Sequence, residues 1–264
     1  MNTAKVNSDY FVVALEPGAE HPALPTWANY HANVAELNEA KLTETERANV
    51  SKKMLAEVPG AFQLLNVLTP DECKRLISVS ESMGFLPDAA VSLPRNVRHN
   101  DSLTWVVDNT TEQVIWNRVN HLMDDNLDIF AGKAALGLNN RFRFYRYNQG
   151  DFFKPHSDGS WPGSQVIDGQ LVRDAFGDRY SLLTFLIFLT EDFEGGATRF
   201  LVNADNPSLP AKHGDNMRQV DVRTPAGSVL CFPHGMHPLH CIHSSEPILS
   251  GVKYIIRTDV LFEL

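Results

Sequence analysis

The sequence is short of three features that define broad protein classes: paired cysteines, long apolar runs and an excess of positive charge. Its three cysteines are Cys73, Cys231 and Cys241, an odd number without CxxC spacing. Neither a disulfide framework nor a thiolate metal site is expected, and each cysteine is predicted to be a reduced core residue. No run approaches the roughly 20 apolar residues of a membrane-spanning helix, and residues 1–20 lack a secretion-signal pattern. We therefore expect a soluble, cytoplasmic protein without a membrane partner.

The net charge of the chain argues against a nucleic-acid-binding function. The formal net charge is −9, whereas proteins that follow a phosphate backbone need clustered lysine and arginine to displace its counterions. No nucleic-acid partner is expected, although a local basic pocket is compatible with this charge. Hydrophobic residues make up 43% of the chain and aromatic residues 9%, which is typical of a folded, enzyme-sized protein. The oligomeric state is not indicated by the sequence.

The chain divides into a predicted N-terminal extension, residues 1–60, and a predicted domain, residues 61–264. The extension is polar, and the composition of Trp27–Leu55 favours a helix with a thin apolar face. We therefore predict a peripheral helical extension.

The domain begins with a predicted strand over Phe62–Leu68 and two predicted helices. A capping box in Thr69-Pro70-Asp71-Glu72 opens the first helix, which is expected to end near Gly84. The second helix follows Asn109. Both are interpreted as scaffold helices.

From Arg141 onward, short apolar or alternating runs are separated by Gly, Pro and Asp, which is typical of a β-sandwich or barrel. The predicted strands are Arg141–Tyr147, Ser181–Leu189, Ala197–Leu201, Val220–Val222, Ser228–Phe232 and Lys253–Phe262. The polar, proline-broken stretch from Val202 to Gln219 is predicted to be an exposed loop. The fold class is therefore α+β with a mainly β core.

The main chemical signal is His156-Ser157-Asp158. In an extended segment, residues two apart point to the same side and can bind one metal ion together. The triplet alone is common and is a weak signal, because without further support an ordinary surface pair is the better explanation. A later histidine on a neighbouring strand, His243, could complete the two-histidine, one-carboxylate set of non-haem iron(II), leaving three positions for a keto acid and dioxygen.

Five motifs occur in order between Arg141 and Phe262. They are Tyr147-x-x-Gly150, His156-x-Asp158, Gly195-Gly196-Ala197-Thr198-Arg199-Phe200, Pro225-Ala226-Gly227-Ser228, and His243-x-x-x-Pro247 followed by Lys253. Together they resemble the 2-oxoglutarate (2OG) and iron(II) dioxygenases of the prolyl 4-hydroxylase-like group. The metal-binding core is accordingly predicted over residues 141–262.

The resemblance implies a double-stranded β-helix, a cupin-like jelly roll flanked by N-terminal helices. His156, Asp158 and His243 would bind iron(II), and Lys253 and Tyr147 would contact 2OG. Dioxygen would be the second cosubstrate and ascorbate (vitamin C) the reductant. Because Asp158 is present, hydroxylation is favoured over halogenation. The implied reaction hydroxylates an unactivated carbon of a protein side chain of prolyl type, or of a small amino-acid-like metabolite, and releases succinate and CO2.

Some assignments stay open in the sequence. His234, His237 and His240 crowd the same stretch as His243, which is favoured by its offsets to Pro247 and Lys253, with His240 next. The anchor for the distal carboxylate of 2OG could instead be Arg257, which shares a strand face with Lys253.

Several polar residues allow both a functional and a plain interpretation. Arg143 and Tyr145, on one strand face with Arg141 and Tyr147, either line the pocket or lie on an exposed face. Arg98-His99-Asn100-Asp101 either flanks the site mouth or forms an ordinary turn, and Trp161 either walls the pocket or is structural.

The substrate and two rival functions remain open as well. A small closed pocket with an arginine would indicate a free acid, and an open groove a protein substrate. The rivals are a cupin-like metal-binding or sensor protein and a zinc hydrolase. Lys253 argues against both, because neither needs an anchor for a keto acid.

Overall fold

Two β-sheets of unequal size contain most of the strands in this computed structural model, which describes residues 9–37, 43–45, 49–89, 93–123, 128–206, 208–212 and 214–264. The strands are β1 (Tyr10–Glu16), β2 (Leu24–Asn29), β3 (Ser51–Met54), β4 (Phe62–Leu65), β5 (Arg98–His99), β6 (Asp101–Val106), β7 (Ala135–Leu138), β8 (Arg141–Tyr147), β9 (Phe152–His156), β10 (Gln165–Ile167), β11 (Gln170–Val172), β12 (Arg179–Phe188), β13 (Glu194–Gly195), β14 (Thr198–Asn203), β15 (Met217–Val222), β16 (Val229–Pro233), β17 (Ile242–Ser245), β18 (Ile248–Ser250) and β19 (Lys253–Glu263). The two longer helices among the described residues are α1 (Pro70–Met83) and α2 (Asn109–Val119), the latter followed by a 3-10 turn at Asn120–Leu122.

The sheets form a double-stranded β-helix, as predicted. The strand order of the larger sheet is β1-β2-β6-β8-β19-β12-β16-β4-β3, with β7 also pairing with β19. The smaller sheet has the order β15-β14-β17-β9-β5, and two short strand pairs, β10-β11 and β13-β18, lie outside both. The motifs singled out in the sequence fall mainly on β8, β9, β17 and β19.

The larger sheet is buried on both faces, which explains its long apolar strands. Along β12, Phe185 and Ile187 face the core that includes the helices, whereas Leu186 and Phe188 face the core between the two sheets. This alternation follows from the two-residue period of a strand. The second core, with Phe200 of β14 in it, holds the inner faces of both sheets together.

Helix α1 begins as predicted. The Thr69 hydroxyl accepts a hydrogen bond from the Glu72 backbone N–H at 3.2 Å, and the Thr69 N–H donates to the Glu72 carboxylate at 2.9 Å. The same carboxylate pairs in bidentate fashion with Arg118 of α2, at 2.9 and 2.8 Å. Both side chains are buried, so one carboxylate caps α1 and ties it to α2. Gly84 ends α1.

The predicted strands from Arg141 onward are confirmed with small shifts of their ends. The predicted loop Val202–Gln219 is shorter than expected, because β14 continues to Asn203 and β15 starts at Met217. These two strands pair along their full length, which outweighs the polar composition of their ends. The predicted strand at Phe62–Leu68 ends at Leu65.

The predicted helical extension over residues 1–60 is wrong for most of the part that the structure describes, although Glu44 and Thr45 are helical. Most of that part forms β1, β2 and β3, which join the larger sheet: β2 runs parallel to β6, and β3 pairs with β4 across the expected boundary at residue 60. Helix propensity is a weak preference that such pairing overrides. Residues 38–42 and 46–48 of the predicted helix lie outside the described residues.

Two predictions from composition can also be compared with the structure. All three cysteines are free and buried, as expected. Within the described ranges, no helix combines the length and the apolar character that a membrane span requires.

We predict that Arg118→Met destabilises the fold by about 3–5 kcal/mol, because it leaves the Glu72 carboxylate buried without its cation. The free energy of unfolding from urea titration measures this. The control is Arg75→Met, which removes an ion pair between Arg75 and the exposed Glu36 (2.6 Å) and should cost no more than about 1 kcal/mol. Equal losses in the two variants would contradict the prediction.

Candidate active site

Three candidate metal ligands meet at the junction of β9 and β17. The two strands are antiparallel neighbours, and His156 lies directly opposite His243 in their register. Asp158 follows two residues after His156. One nitrogen or oxygen atom from each side chain lies within 4.8 Å of the other two. Strand pairing thus brings together residues that are 87 positions apart in the chain (243 − 156 = 87).

Hydrogen bonds to the main chain orient both imidazoles. Nδ1 of His156 lies 2.9 Å from the Lys154 carbonyl oxygen and donates to it; Nδ1 of His243 has a longer contact of 3.5 Å to the Cys241 carbonyl. Protons on Nδ1 leave Nε2 free as a lone-pair donor. Both Nε2 atoms face Asp158, at 3.7 Å from His156 and 3.8 Å from His243.

The protonation states suit a divalent cation. Burial lowers the pKa of His156 to about 3 and also lowers the pKa of His243. Burial alone would raise the pKa of Asp158, but the charge of Arg257, with smaller effects of the two histidines, brings it below its usual range. Neutral imidazoles and an ionised carboxylate are the states that bind metals. This donor set fits non-haem iron(II), and zinc accepts the same atoms.

A chain of hydrogen bonds holds Asp158 from behind. The Thr184 hydroxyl of β12 donates to the Asp158 carboxylate at 2.7 Å and, 2.7 Å away, accepts from Nδ1 of His234. Nε2 of His234 then accepts from the Ser181 hydroxyl at 3.0 Å. Burial lowers the pKa of His234, so the ring is neutral and has one donor and one acceptor. The larger sheet thereby fixes the orientation of a carboxylate on the loop after β9.

Lys253, at the start of β19, is fully buried, and no described carboxylate lies within ion-pair distance of it. Its ammonium group donates to the Gly196 carbonyl at 2.8 Å and to the Ser245 hydroxyl at 3.0 Å, which leaves one of its three N–H donors free. The Tyr147 ring lies 5.3 Å away. Burial, with a smaller effect of Arg223, lowers the pKa of Lys253 to about 7.

The Gly195-Gly196 pair shapes this lysine site. Gly195 has φ 73°, and a Cβ there would lie 2.2 Å from the Pro247 carbonyl oxygen. The tight turn that only glycine permits presents the Gly196 carbonyl to Lys253.

Arg257 occupies a different position from Lys253, although both lie on the inner face of β19. Its Nε is 3.2 Å from the Asp158 carboxylate but lacks hydrogen-bond geometry, and its Nη2 donates to Asp259 at 3.0 Å. Arg143 lies 3.7 Å from the other Asp259 oxygen. Arg257 thus already interacts with two carboxylates of the protein, whereas Lys253 has no carboxylate partner among the described residues.

One cavity of about 240 Å³ joins the three candidate ligands, Lys253 and Arg257. Its other lining residues include Arg98, Tyr145, Tyr147, Phe153 and Trp161. The alternative of an exposed strand face for Arg141, Arg143, Tyr145 and Tyr147 is wrong, because all four side chains are buried. Of these, Tyr145 and Tyr147 line the cavity, whereas Arg143 lies behind it and stacks 5.4 Å from the Trp161 ring.

The other histidines of the crowded stretch lie outside the triad. His234 supports Asp158 through Thr184, His237 contacts the Ile129 carbonyl at 2.6 Å, and His240 approaches the carbonyl of His237. Sequence reasoning missed Thr184 and Ser245. Ser245 follows His243 by two residues in a strand, so the alternation of side chains could have indicated it. No signal in the sequence links Thr184 to Asp158.

Residues 142–258 match the 2OG-Fe(II) oxygenase superfamily. The matched stretch contains the triad, Lys253 and Arg257. No curated protein matches the chain by sequence.

Several prolyl hydroxylase structures are similar to this chain. A viral collagen prolyl hydroxylase from Paramecium Bursaria Chlorella virus-1, in complex with 2OG, is 14% identical with a TM-score of 0.49, over 80% of this chain and 100% of that chain. A Pseudomonas putida prolyl-4-hydroxylase is 17% identical with a TM-score of 0.48, over 80% and 98%. A Trichoplax adhaerens prolyl hydroxylase, in complex with a hypoxia inducible factor peptide fragment, is 15% identical with a TM-score of 0.49, over 77% and 84%.

We predict that Thr184→Val destabilises the protein by about 1–3 kcal/mol, because it removes a buried hydrogen bond from Asp158 and leaves Nδ1 of His234 without an acceptor. Valine keeps the shape of the side chain and removes only the hydroxyl. The midpoint of urea unfolding, measured on metal-free protein, tests this. Thr184→Ser retains the hydroxyl and should lose less stability, and a larger loss for serine than for valine would contradict the role given to the hydroxyl.

Proposed function

Residues 142–258 are a 2OG-Fe(II) oxygenase domain, and we propose that His156, Asp158 and His243 bind its iron while Lys253 binds the distal carboxylate of 2OG. The chain is an oxidoreductase that couples oxidation of 2OG to hydroxylation of a carbon atom on a primary substrate. We propose that this substrate is a protein side chain of prolyl type or a small amino-acid-like metabolite.

The main support for the proposal is that the three candidate metal ligands and the buried Lys253 line the same cavity. Lys253 has no carboxylate partner among the described residues and keeps one free N–H donor. A buried cation of this kind is costly unless an anion pairs with it. A keto acid whose far carboxylate meets Lys253 would supply that anion through a charge-assisted hydrogen bond.

The triad side chains would hold iron(II) through both Nε2 atoms and the Asp158 carboxylate. When bound there, the metal supplies the activation of dioxygen that converts 2OG to succinate and CO2 as the substrate carbon gains a hydroxyl group. The protein would orient the reactants and exclude water. Thr184 would orient the Asp158 carboxylate, and Lys253 and Tyr147 would position 2OG. The aromatic side chains that line the cavity, Phe153 and Trp161 among them, would limit access of solvent.

The structure favours Lys253 over Arg257 as the anchor. Arg257 lies beside Asp158 and donates to Asp259, so the distal carboxylate of 2OG would compete with two carboxylates that are already present. Tyr145, which lines the cavity, and Arg143, which lies behind it, are proposed to support the cosubstrate pocket.

The two rival functions lose support from the same lysine. A zinc hydrolase or a metal-binding sensor would use the triad, but neither gives a reason to bury an unpaired lysine in the metal cavity. Ascorbate as the reductant and a cytoplasmic location remain predictions from the sequence.

We predict that the metal-free protein, titrated anaerobically with iron(II) and then 2OG, develops the weak visible charge-transfer band of an iron-bound keto acid. His243→Ala should abolish the band, because one of three ligands is lost. His240→Ala is the matched control and should keep the band, since His240 lies outside the triad. If the parent protein forms no band, the metal-binding and zinc-hydrolase alternatives gain support.

The affinity for 2OG is predicted to fall as the pH rises above about 7, the pKa of Lys253. Below that pH the amine is already an ammonium ion; above it, binding the carboxylate requires uptake of a proton. The dissociation constant should therefore rise by up to about tenfold for each pH unit. Titration of the charge-transfer band between pH 6.5 and 9 measures it.

Two variants separate this effect from general pH effects. Lys253→Arg keeps a permanent charge and should show a nearly flat pH profile. Lys253→Met should lose 2OG binding yet unfold at an equal or higher urea concentration, because it removes a buried cation. A steep profile in the arginine variant would refute the assignment of the titrating group to Lys253.

A further inference from the structure

We infer that the primary substrate is a small molecule with a carboxylate, and that Arg98 binds this carboxylate. The inference rests on the proposed function and adds the substrate class to it. It depends on the placement of Arg98, on the lack of an acidic partner for it, and on the charges that remain in the cavity once metal and 2OG are bound.

Arg98 is buried, with 7% of its surface exposed, and it lines the cavity. Its Nε donates to the Asn100 side chain at 2.8 Å, and its Nη2 donates to the Ser102 hydroxyl at 3.2 Å. Both partners are neutral. Because a guanidinium has five N–H groups, three remain, and those on the edge formed by Nη1 and Nη2 can hold both oxygens of one carboxylate.

No carboxylate in the part of the chain that the structure describes lies within ion-pair distance of Arg98, although acidic residues are close in sequence or space. Asp101 pairs with Arg146 at 2.8 Å, and Asp151 contacts His99 at 2.6 Å. Asp88, which lines a small crevice together with Arg98, accepts hydrogen bonds from the backbone of residues 19–21. These acids therefore have other partners.

Arg98 lies close to the proposed metal site. Its strand, β5, pairs with β9, and Arg98 is opposite Phe153 in that register. The guanidinium carbon is 4.2 Å from the Tyr145 ring centre and 5.2 Å from the Phe153 ring centre. The Phe153 ring in turn stacks on His156, with ring centres 3.5 Å apart. One aromatic ring thus separates the free guanidinium from a proposed metal ligand.

The side chains in and behind the cavity have an excess of positive charge that a bound anion could balance. Four cations, Arg98, Arg143, Lys253 and Arg257, accompany two carboxylates, Asp158 and Asp259. A divalent metal and doubly charged 2OG cancel each other, so the excess of positive charge persists in the loaded protein. Arg143 and Arg257 have Asp259 as a partner, and Lys253 would have 2OG. Arg98 is the cation that then remains for the substrate.

The size of the cavity favours a small molecule over a peptide. Its volume of about 240 Å³ is below the roughly 300–1,000 Å³ of ordinary ligand clefts, and 2OG must occupy part of it. A free acid close to an amino acid in size fits these limits. A phosphate could use the same guanidinium edge, so the experiment includes it as a separate arm.

The test measures binding to protein loaded anaerobically with iron(II) and saturating 2OG. The probes are the twenty proteinogenic L-amino acids and their 2-hydroxy analogues, each beside its carboxamide, together with O-phosphoserine amide and a proline-rich peptide blocked at both ends. Calorimetry gives the dissociation constants, and succinate release in air gives the coupled turnover. Arg98→Gln is the test variant. Arg146→Gln is the matched control, because Arg146 pairs with Asp101 and Glu81 outside the cavity.

We expect at least one free acid to bind about 30-fold or more tightly than its carboxamide and to stimulate succinate release. Arg98→Gln should reduce its affinity to that of the carboxamide while leaving the charge-transfer band with 2OG intact, and Arg146→Gln should behave like the parent. The inference is overturned if no acid of the panel binds, if acid and carboxamide bind equally, if only the blocked peptide or the phosphate binds, or if Arg98→Gln binds the acid normally. In each of those cases a persisting band leaves the proposed function standing, whereas a missing band in the parent overturns the function itself.

Discussion

The site depends on the register between β9 and β17. Because side chains alternate along a strand, a slip of one residue would turn His243 away from His156 and separate the triad. Two features oppose such a slip: β17 also pairs with β14 on its other edge, and Asp158 is tied to Thr184 on the larger sheet. The geometry of the proposed metal site thus depends on contacts between strands from distant parts of the chain more than on the loop that contains Asp158.

Strands β8 and β19 each carry two kinds of surface. Their outer faces bear Phe142, Phe144 and Ile256, which belong to the core beneath the helices, whereas their inner faces bear arginine, lysine and tyrosine. Inner-face charges are tolerated because Asp158, Asp259 and several hydroxyls pair with most of them. The polarity of the inner face determines what the cavity can bind, and the apolar outer face stabilises the position of both strands.

The sequence allowed prediction of those features that depend on short-range pattern. The capping box gave the start of α1, and the two-residue alternation grouped Tyr145 with Tyr147 on one face of β8 and Lys253 with Arg257 on one face of β19. The wrong prediction for the N-terminal segment has a physical cause. Strands β1 to β3 are stabilised by pairing, β1 with β2, β2 with the distant β6 and β3 with β4, so the local composition of Trp27–Leu55 gave the wrong element. The same holds for the site. HxD spacing indicated His156 and Asp158, but the contact of Thr184 with Asp158 and the position of Arg98 beside Phe153 exist only in the folded chain.

Lys253 has an evolutionary consequence. A buried lysine whose pKa lies near 7 weakens the fold compared with an apolar side chain of similar size, so selection for stability alone would remove it. In the proposed role, use of an anionic cosubstrate is what maintains it. If Lys253 binds 2OG as proposed, a lineage that ceased to use 2OG would lose Lys253 early, before the proposed metal ligands. An apolar residue at this position in a descendant would then mark the loss of 2OG use even where the fold and the three candidate ligands survive.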